Sequence, residues 1–128
     1  MTWQFDNDKP IYIQLINILK LKIISGEIGV GEKLSSVREL AQMAGVNPNT
    51  MQRALAELER EGLVHSNRTA GRFVTEDKNL IVDVRNVYAR TYISQLVQNL
   101  IPLGFSKKEL MEFIQQELLE GENNVSAV

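Results

Sequence analysis

The chain contains no cysteine and a single histidine, His65. Disulfides and thiolate chemistry are excluded, and so is a cysteine–histidine metal cluster of recognisable spacing. No apolar run approaches the roughly 20 residues a membrane-spanning helix needs. The opening MTWQFDNDK lacks the basic-then-apolar order of a secretory leader, so a cytoplasmic protein is the expectation. Aromatic residues make up only 6%, yet the chain is 44% hydrophobic and 23% charged, an ordinary globular balance rather than a disordered one. Positive charge is scarce as well: 14 Lys+Arg face 16 Asp+Glu, a net charge of -2. Nucleic-acid binders draw much of their affinity from neutralised phosphates, so such a role would depend on where the cations sit. Residues 1–75 hold 9 Lys+Arg against 8 Asp+Glu, and residues 76–128 hold 5 against 8.

What is present is a series of well-punctuated helices. Trp3 and Phe5 alternate with polar residues in an extended lead-in. After Pro10, Ile11, Leu15, Ile18 and Leu19 form one stripe at helical spacing, widened by Ile16, Ile23 and Ile24, with Gly26 as the stop. GEIGVGEK is a loop; it lacks the spacing and the preceding strand of a phosphate-binding loop. Ser36 and Glu39 form a capping box for a short helix that Gly45 breaks. Asn47 as N-cap and Pro48 at the first helical position open a further helix reaching about Glu61. LVHS and RFVT read as strands joined by NRTAG, and Glu76 to Asn79 as a polar linker. A helix from roughly Leu80 to Ile101 follows, broken by Pro102 and Gly104. Ser106 and Glu109 cap a last helix that Gly121 is expected to end, leaving a frayed ENNVSAV.

The run from Leu34 to Val74 carries the chemistry. Met51, Leu55 and Leu58 share the core face of its second helix. Asn49, Arg53, Ala56 and Arg60 fall opposite, with Gln52 beside them. A helix entering the major groove presents its N-terminal side chains to base edges. Asn and Gln suit adenine and Arg suits guanine, since each can make two hydrogen bonds there. Asn49, Thr50, Gln52 and Arg53 are therefore the candidate base contacts on this helix, and its first turn, opened by Asn47 and Pro48, offers free amides to a phosphate. Arg38, on the preceding helix, is placed to hold the backbone. Arg68 and Arg72 on the hairpin are placed to reach a phosphate or the adjoining minor groove.

These residues resemble a family. GEKLSSVRELAQMAGVNPNTMQRALAELEREGLV is similar to the winged helix-turn-helix domain of GntR-family bacterial transcriptional regulators, and PIYIQLINILKLKIISGEI is similar to the family's first helix. The Asn-Pro-Asn-Thr helix start and the short two-helix tail look like its YtrA-type subfamily. The resemblance covers about residues 9–75. It implies a mostly α fold with a small β-hairpin: a winged helix-turn-helix domain over residues 1–76 and a C-terminal two-helix dimerisation unit over 77–128. It further implies an obligate homodimer on a two-fold DNA operator, most simply as a repressor. The family's DNA-contacting positions correspond here to Arg38, to Pro48, Asn49, Thr50, Gln52 and Arg53, and to Arg68, Thr69 and Gly71 at the wing tip, and the chain departs from the commoner family pattern at Ser35, at Pro48 and in the wing, which reads Thr-Ala-Gly-Arg-Phe.

The tail stripes, Val84, Tyr88, Tyr92, Leu96 and Leu100 with Phe113 from the last helix, read as a dimer interface; packing back onto the first helix is the alternative. Arg85, Arg90, Tyr88 and Tyr92 fit either that interface or a small-molecule effector pocket. Catalysis has little support. His65 reads as a surface residue of the wing strand, and Glu57, Glu59 and Glu61 as a solvated helix face rather than acid–base machinery. No metal or cofactor is expected. A winged-helix module that binds only protein stays open on the acidic net charge.

Overall fold

The computed structural model describes residues 3–126, with side chains described as far as Gly121. The chain divides into two compact units, residues 1–86 and 87–128. Within the described residues the first unit holds helix α1 (Ile11–Ile24), α2 (Val37–Ala44) and α3 (Pro48–Arg60), then strands β1 (Val64–Asn67) and β2 (Gly71–Val74). Helix α4 (Lys78–Leu100) begins in this unit and continues into the second, where a short 3-10 turn (Ile101–Leu103) precedes α5 (Lys107–Ser126). The first turns of α4 add Leu80, Ile81 and Val84 to the core of the first unit.

That core is built from one face of each helix. Leu15, Ile16, Leu19 and Ile23 of α1 are buried, while Ile11 is exposed at the open end of the stripe. Leu40, Ala41 and Ala44 of α2 and Met51, Ala54, Leu55 and Leu58 of α3 meet them, closed by Leu34, Leu63, Val64 and Val74. Trp3 and Phe5 pack against the same cluster. A partly buried ion pair, Lys20 Nζ to Glu61 Oε1 at 2.8 Å, ties α1 to the residue that ends α3.

The helix signals act as their chemistry dictates. Ser36 Oγ accepts from the Glu39 N–H at 3.1 Å and Glu39 Oε1 accepts from the Ser36 N–H at 3.2 Å, the reciprocal capping box. Gly45 ends α2 with φ 76°, a left-handed conformation that any Cβ would strain. Asn47 Oδ1 accepts from the Asn49 N–H at 2.8 Å and opens α3 one residue before Pro48. Both strands are shifted by one residue from the sequence reading, and two helix boundaries differ by more. Lys78 and Asn79 are helical rather than linker, because Asp77 Oδ1 caps the Leu80 N–H at 3.1 Å. Helix α5 runs through Gly121 to Ser126; this glycine does not adopt positive φ, and one interior glycine costs only about 1 kcal/mol. Of the expected frayed tail, residues 127–128 lie outside the described residues.

The hairpin pairs Val64 with Val74, His65 with Phe73, Ser66 with Arg72 and Asn67 with Gly71. It is anchored from outside: the Leu34 N–H donates to the Arg72 carbonyl and the Val74 N–H to the Glu32 carbonyl, both at 2.9 Å. The loop before α2 thereby acts as a third, minimal strand, with Lys33 bridging Phe73.

Two stability outcomes follow. Leu58→Ala, at a fully buried site, is expected to cost roughly 2–5 kcal/mol in denaturant unfolding. The Ser36 backbone N–H, then its hydroxyl, hold the Glu39 carboxyl below its ordinary 4.5. A lowered folded-state value gives stability that is complete above 4.5 and is lost as pH falls through the lowered value. Thermal melts should therefore show wild type losing stability on acidification relative to Glu39→Gln, which keeps the acceptor without the titration.

Candidate nucleic-acid interface

Once Met51, Leu55 and Leu58 are buried, the helical period turns Asn49, Gln52 and Arg53 outward, and all three are exposed. Asn47 and Pro48 are exposed at the helix start, and Thr50 is half-buried. Arg38 stands exposed on α2. At the hairpin tip Arg68, Thr69 and Gly71 are exposed. Both the N–H and the hydroxyl of Thr69 donate to Asn67 Oδ1, at 3.1 and 3.0 Å, and shape the turn. Gly71 has φ 105°, and a Cβ there would come within 3.4 Å of Lys33 Cε.

The strand alternation sorts the hairpin into two faces. Val64, Ser66, Arg72 and Val74 lie on the side that meets α3; His65 and Phe73 lie on the other, their rings stacked with centroids 5.9 Å apart. Arg72 is therefore not a second tip residue beside Arg68. It is half-buried, its Nη1 donates to Gln52 Oε1 of α3 at 3.4 Å, and its Nε is buried without a hydrogen-bond partner. The placement was readable in the sequence, since Arg72 is two residues from the apolar Val74. His65 is an exposed strand residue.

The other arginine of α3's first turns also has a partner. The Arg53 guanidinium lies over the Tyr12 ring of α1, 4.3 Å from its centroid. Tyr12 is the functional neighbour that sequence patterns missed, because only the α1–α3 crossing brings residues 12 and 53 together. Further along, Arg60 pairs with Glu57: that hydrogen bond holds the Glu57 carboxyl below its ordinary range and raises the Arg60 guanidinium. Glu59 accepts from the Ser66 hydroxyl, and Glu61 binds Lys20. The three carboxylates are thus separate ties, to α3 itself, to β1 and to α1. Among the described residues no group of three or more His, Asp or Glu is placed to hold a metal ion, and no helix is long and apolar enough to cross a membrane.

In the second unit, Tyr88 and Tyr92 lie with ring centroids 6.1 Å apart, and Phe105 and Phe113 with centroids 5.7 Å apart. Leu96, Leu100, Phe113, Ile114, Glu117 and Leu118 line a groove of ≈ 280 Å³ between α4 and α5. Tyr92, Leu96 and Phe113 are exposed, whereas Val84 packs against the core of the first unit. Arg85 belongs elsewhere: with Ile18, Leu21, Lys22, Ile24, Ser25 and Glu27 it lines a shallow groove along α1.

Two helices joined by a tight turn, the second with a polar, cationic exposed start and a hairpin packed beside it, define a winged helix-turn-helix DNA-binding regulator. The profile of the bacterial regulatory proteins of the gntR family matches residues 11–74, half of the chain, and the chain belongs to that family. It is 36% identical over 112 residues to the uncharacterized HTH-type transcriptional regulator YhcF of Bacillus subtilis, covering 88% of this chain and 93% of that protein. It is 35% identical over 108 residues to the HTH-type transcriptional repressor YtrA of the same organism, covering 84% of this chain and 83% of that one, which places it with the YtrA-type subfamily. Among solved structures, a GntR family transcriptional regulator from Listeria monocytogenes superposes with TM-score 0.81 at 37% identity, over 88% of this chain and 98% of the other. The DNA-binding domain of AraR, solved in complex with operator ORX1, superposes with TM-score 0.52 at 28% identity, over 56% of this chain and 93% of that domain.

The Arg53–Tyr12 contact has its own test. A cation–π pair at an exposed site is worth about 0.5–1 kcal/mol, so Tyr12→Leu should free the Arg53 head without unfolding the chain. NMR relaxation of the Arg53 Nε–H should show increased side-chain motion; an unchanged signal would mean the ring does not hold the guanidinium.

Proposed function

We propose that this regulator is a repressor that binds a two-fold operator as a homodimer, in the cytoplasm. The carrying observation is the pairing of two features in one chain: the exposed Asn49, Gln52 and Arg53 at the start of α3, and the uncovered apolar face of the α4–α5 unit. Tyr92, Ile93, Leu96, Phe113 and Leu118 are all exposed there. So much uncovered apolar surface in one place marks an interaction site. A second copy of the same face covers it symmetrically. Two reading heads joined this way address half-sites one helical turn apart, about 34–36 Å.

In this reading α3 enters the major groove with Asn49, Thr50, Gln52 and Arg53 toward base edges, and the first-turn amides beside Asn47 and Pro48 face a phosphate. Arg38 holds the backbone. Arg68, Thr69 and Gly71 carry the wing tip to phosphate or minor groove. Tyr88, Tyr92, Leu96, Leu100 and Phe113 form the dimer contact. The repressor name of the relative YtrA supports the sign of regulation.

A mobility shift with duplex from the chain's own upstream region tests the DNA face. Wild type should form a complex whose log affinity falls linearly with log salt. Arg53→Ala should weaken it at least ~10-fold through a lost base contact, and Arg38→Ala should lower affinity on every sequence and reduce the salt slope by about one. Normal binding by both variants would remove DNA from this face. For the dimer, Leu96→Asp should sediment as a monomer and bind the full operator no better than a half-site. A dimer that survives this substitution would place the interface elsewhere.

A further inference from the structure

We infer that Arg72 sets the base preference of Gln52, so that Gln52 reads guanine rather than adenine. The inference rests on the proposed major-groove role of α3. It starts from the donor inventory of the two side chains. To read adenine with two bonds, a glutamine must accept from the N6 amino group through Oε1 and donate to N7 through its amide N–H. An arginine has donors only, so the amide edge it engages is the carbonyl. Arg72 Nη1 donates to Gln52 Oε1 at 3.4 Å, which turns that carbonyl toward the wing.

A second set of observations keeps the Arg72 head in place. Its backbone carbonyl accepts from the Leu34 N–H at 2.9 Å, and it sits in register opposite Ser66, whose hydroxyl is bonded to Glu59 of α3. The side chain is half-buried and its Nε lies out of solvent. Strand and helix therefore hold Arg72 and Gln52 side by side, although they are 20 positions apart. With its carbonyl turned toward the wing, Gln52 presents its amide N–H donors, rather than its acceptor, to a base edge. Guanine presents two acceptors there, O6 and N7, whereas adenine presents one acceptor and a donor. The wing and the recognition helix then form one composite reading head.

Selection of bound duplexes from a randomised pool by the full-length chain tests this. Gln52→Ala identifies the base pair whose discrimination Gln52 supplies. Wild type should select guanine there. Arg72→Met keeps the apolar stem but removes the donors, so the guanine-to-adenine ratio at that pair should fall about 10-fold. Gln52→Glu, on the exposed helix face, provides an independent readout: a carboxylate has acceptors only, and the preference should pass from guanine to cytosine. Adenine selected by wild type, guanine retained by Gln52→Glu, or a uniform loss of affinity in Arg72→Met with the ratio unchanged would each overturn the inference while leaving the DNA face intact. Failure of wild type to form a salt-sensitive complex with any duplex would overturn the DNA face itself, and this inference with it.

Discussion

The packing of α3 on α1 is the constraint from which the rest follows. Leu15 and Leu19 on one side and Met51, Leu55 and Leu58 on the other are essentially solvent-free. Each such side chain contributes about 1.5–3 kcal/mol on burial, so the rotation of α3 about its own axis is firmly set. A helix has only one face left once the other is buried, and here the remaining face begins with Asn49, Gln52 and Arg53. The same rotation directs Glu59 to Ser66 and Gln52 to Arg72, so the hairpin inherits its position from the helix. Tyr12 occupies the α1 side of that crossing and meets Arg53.

An acidic protein in a DNA-binding family is explained by how its charges are used. Four of the carboxylates around the helix-turn-helix have committed partners: Glu39 at the α2 cap, Glu57 on Arg60, Glu59 on Ser66 and Glu61 on Lys20. Two of them are matched by a cation, Glu57 by Arg60 and Glu61 by Lys20, while Glu39 and Glu59 bind neutral donors and keep their charge. Arg38 and Arg68 remain exposed, outside those ties. Net charge sums these populations and so hides the difference between them. Local placement decides the field a phosphate meets.

Much of this organisation was legible in the sequence because it is written in short-range chemistry. Ser36 with Glu39, Asn47 with Pro48, and Gly45 each act within one helical turn, and each stands where its residue type directs. The core faces of α2 and α3 follow from periodicity alone. Long-range pairings were not legible. Nothing near Tyr12 in the chain announces Arg53, and nothing near Lys33 announces a bridge to Phe73. Arg72 follows Arg68 by only four residues, yet it lies in β2 with its side chain toward α3, while Arg68 lies in the exposed turn. Gly121 shows the converse case: a residue type associated with helix stops is carried through when the helical hydrogen bonding around it continues. Helix α4 starts two residues ahead of its apolar stripe because its cap is an aspartate in a run of polar residues, Glu76 to Asn79, that resembles a linker.

The anchoring of the wing separates two jobs along a few residues. Its base is fixed by ladder bonds from Glu32 and Leu34 and by the burial of Val64 and Val74. Its tip, residues 67–70, is held mainly by the Asn67 side chain and buries little. Substitutions or insertions at such a tip cost little folding energy, because no core contact depends on them. Mutational drift can therefore reshape the outermost loop of this protein while the domain beneath it stays the same.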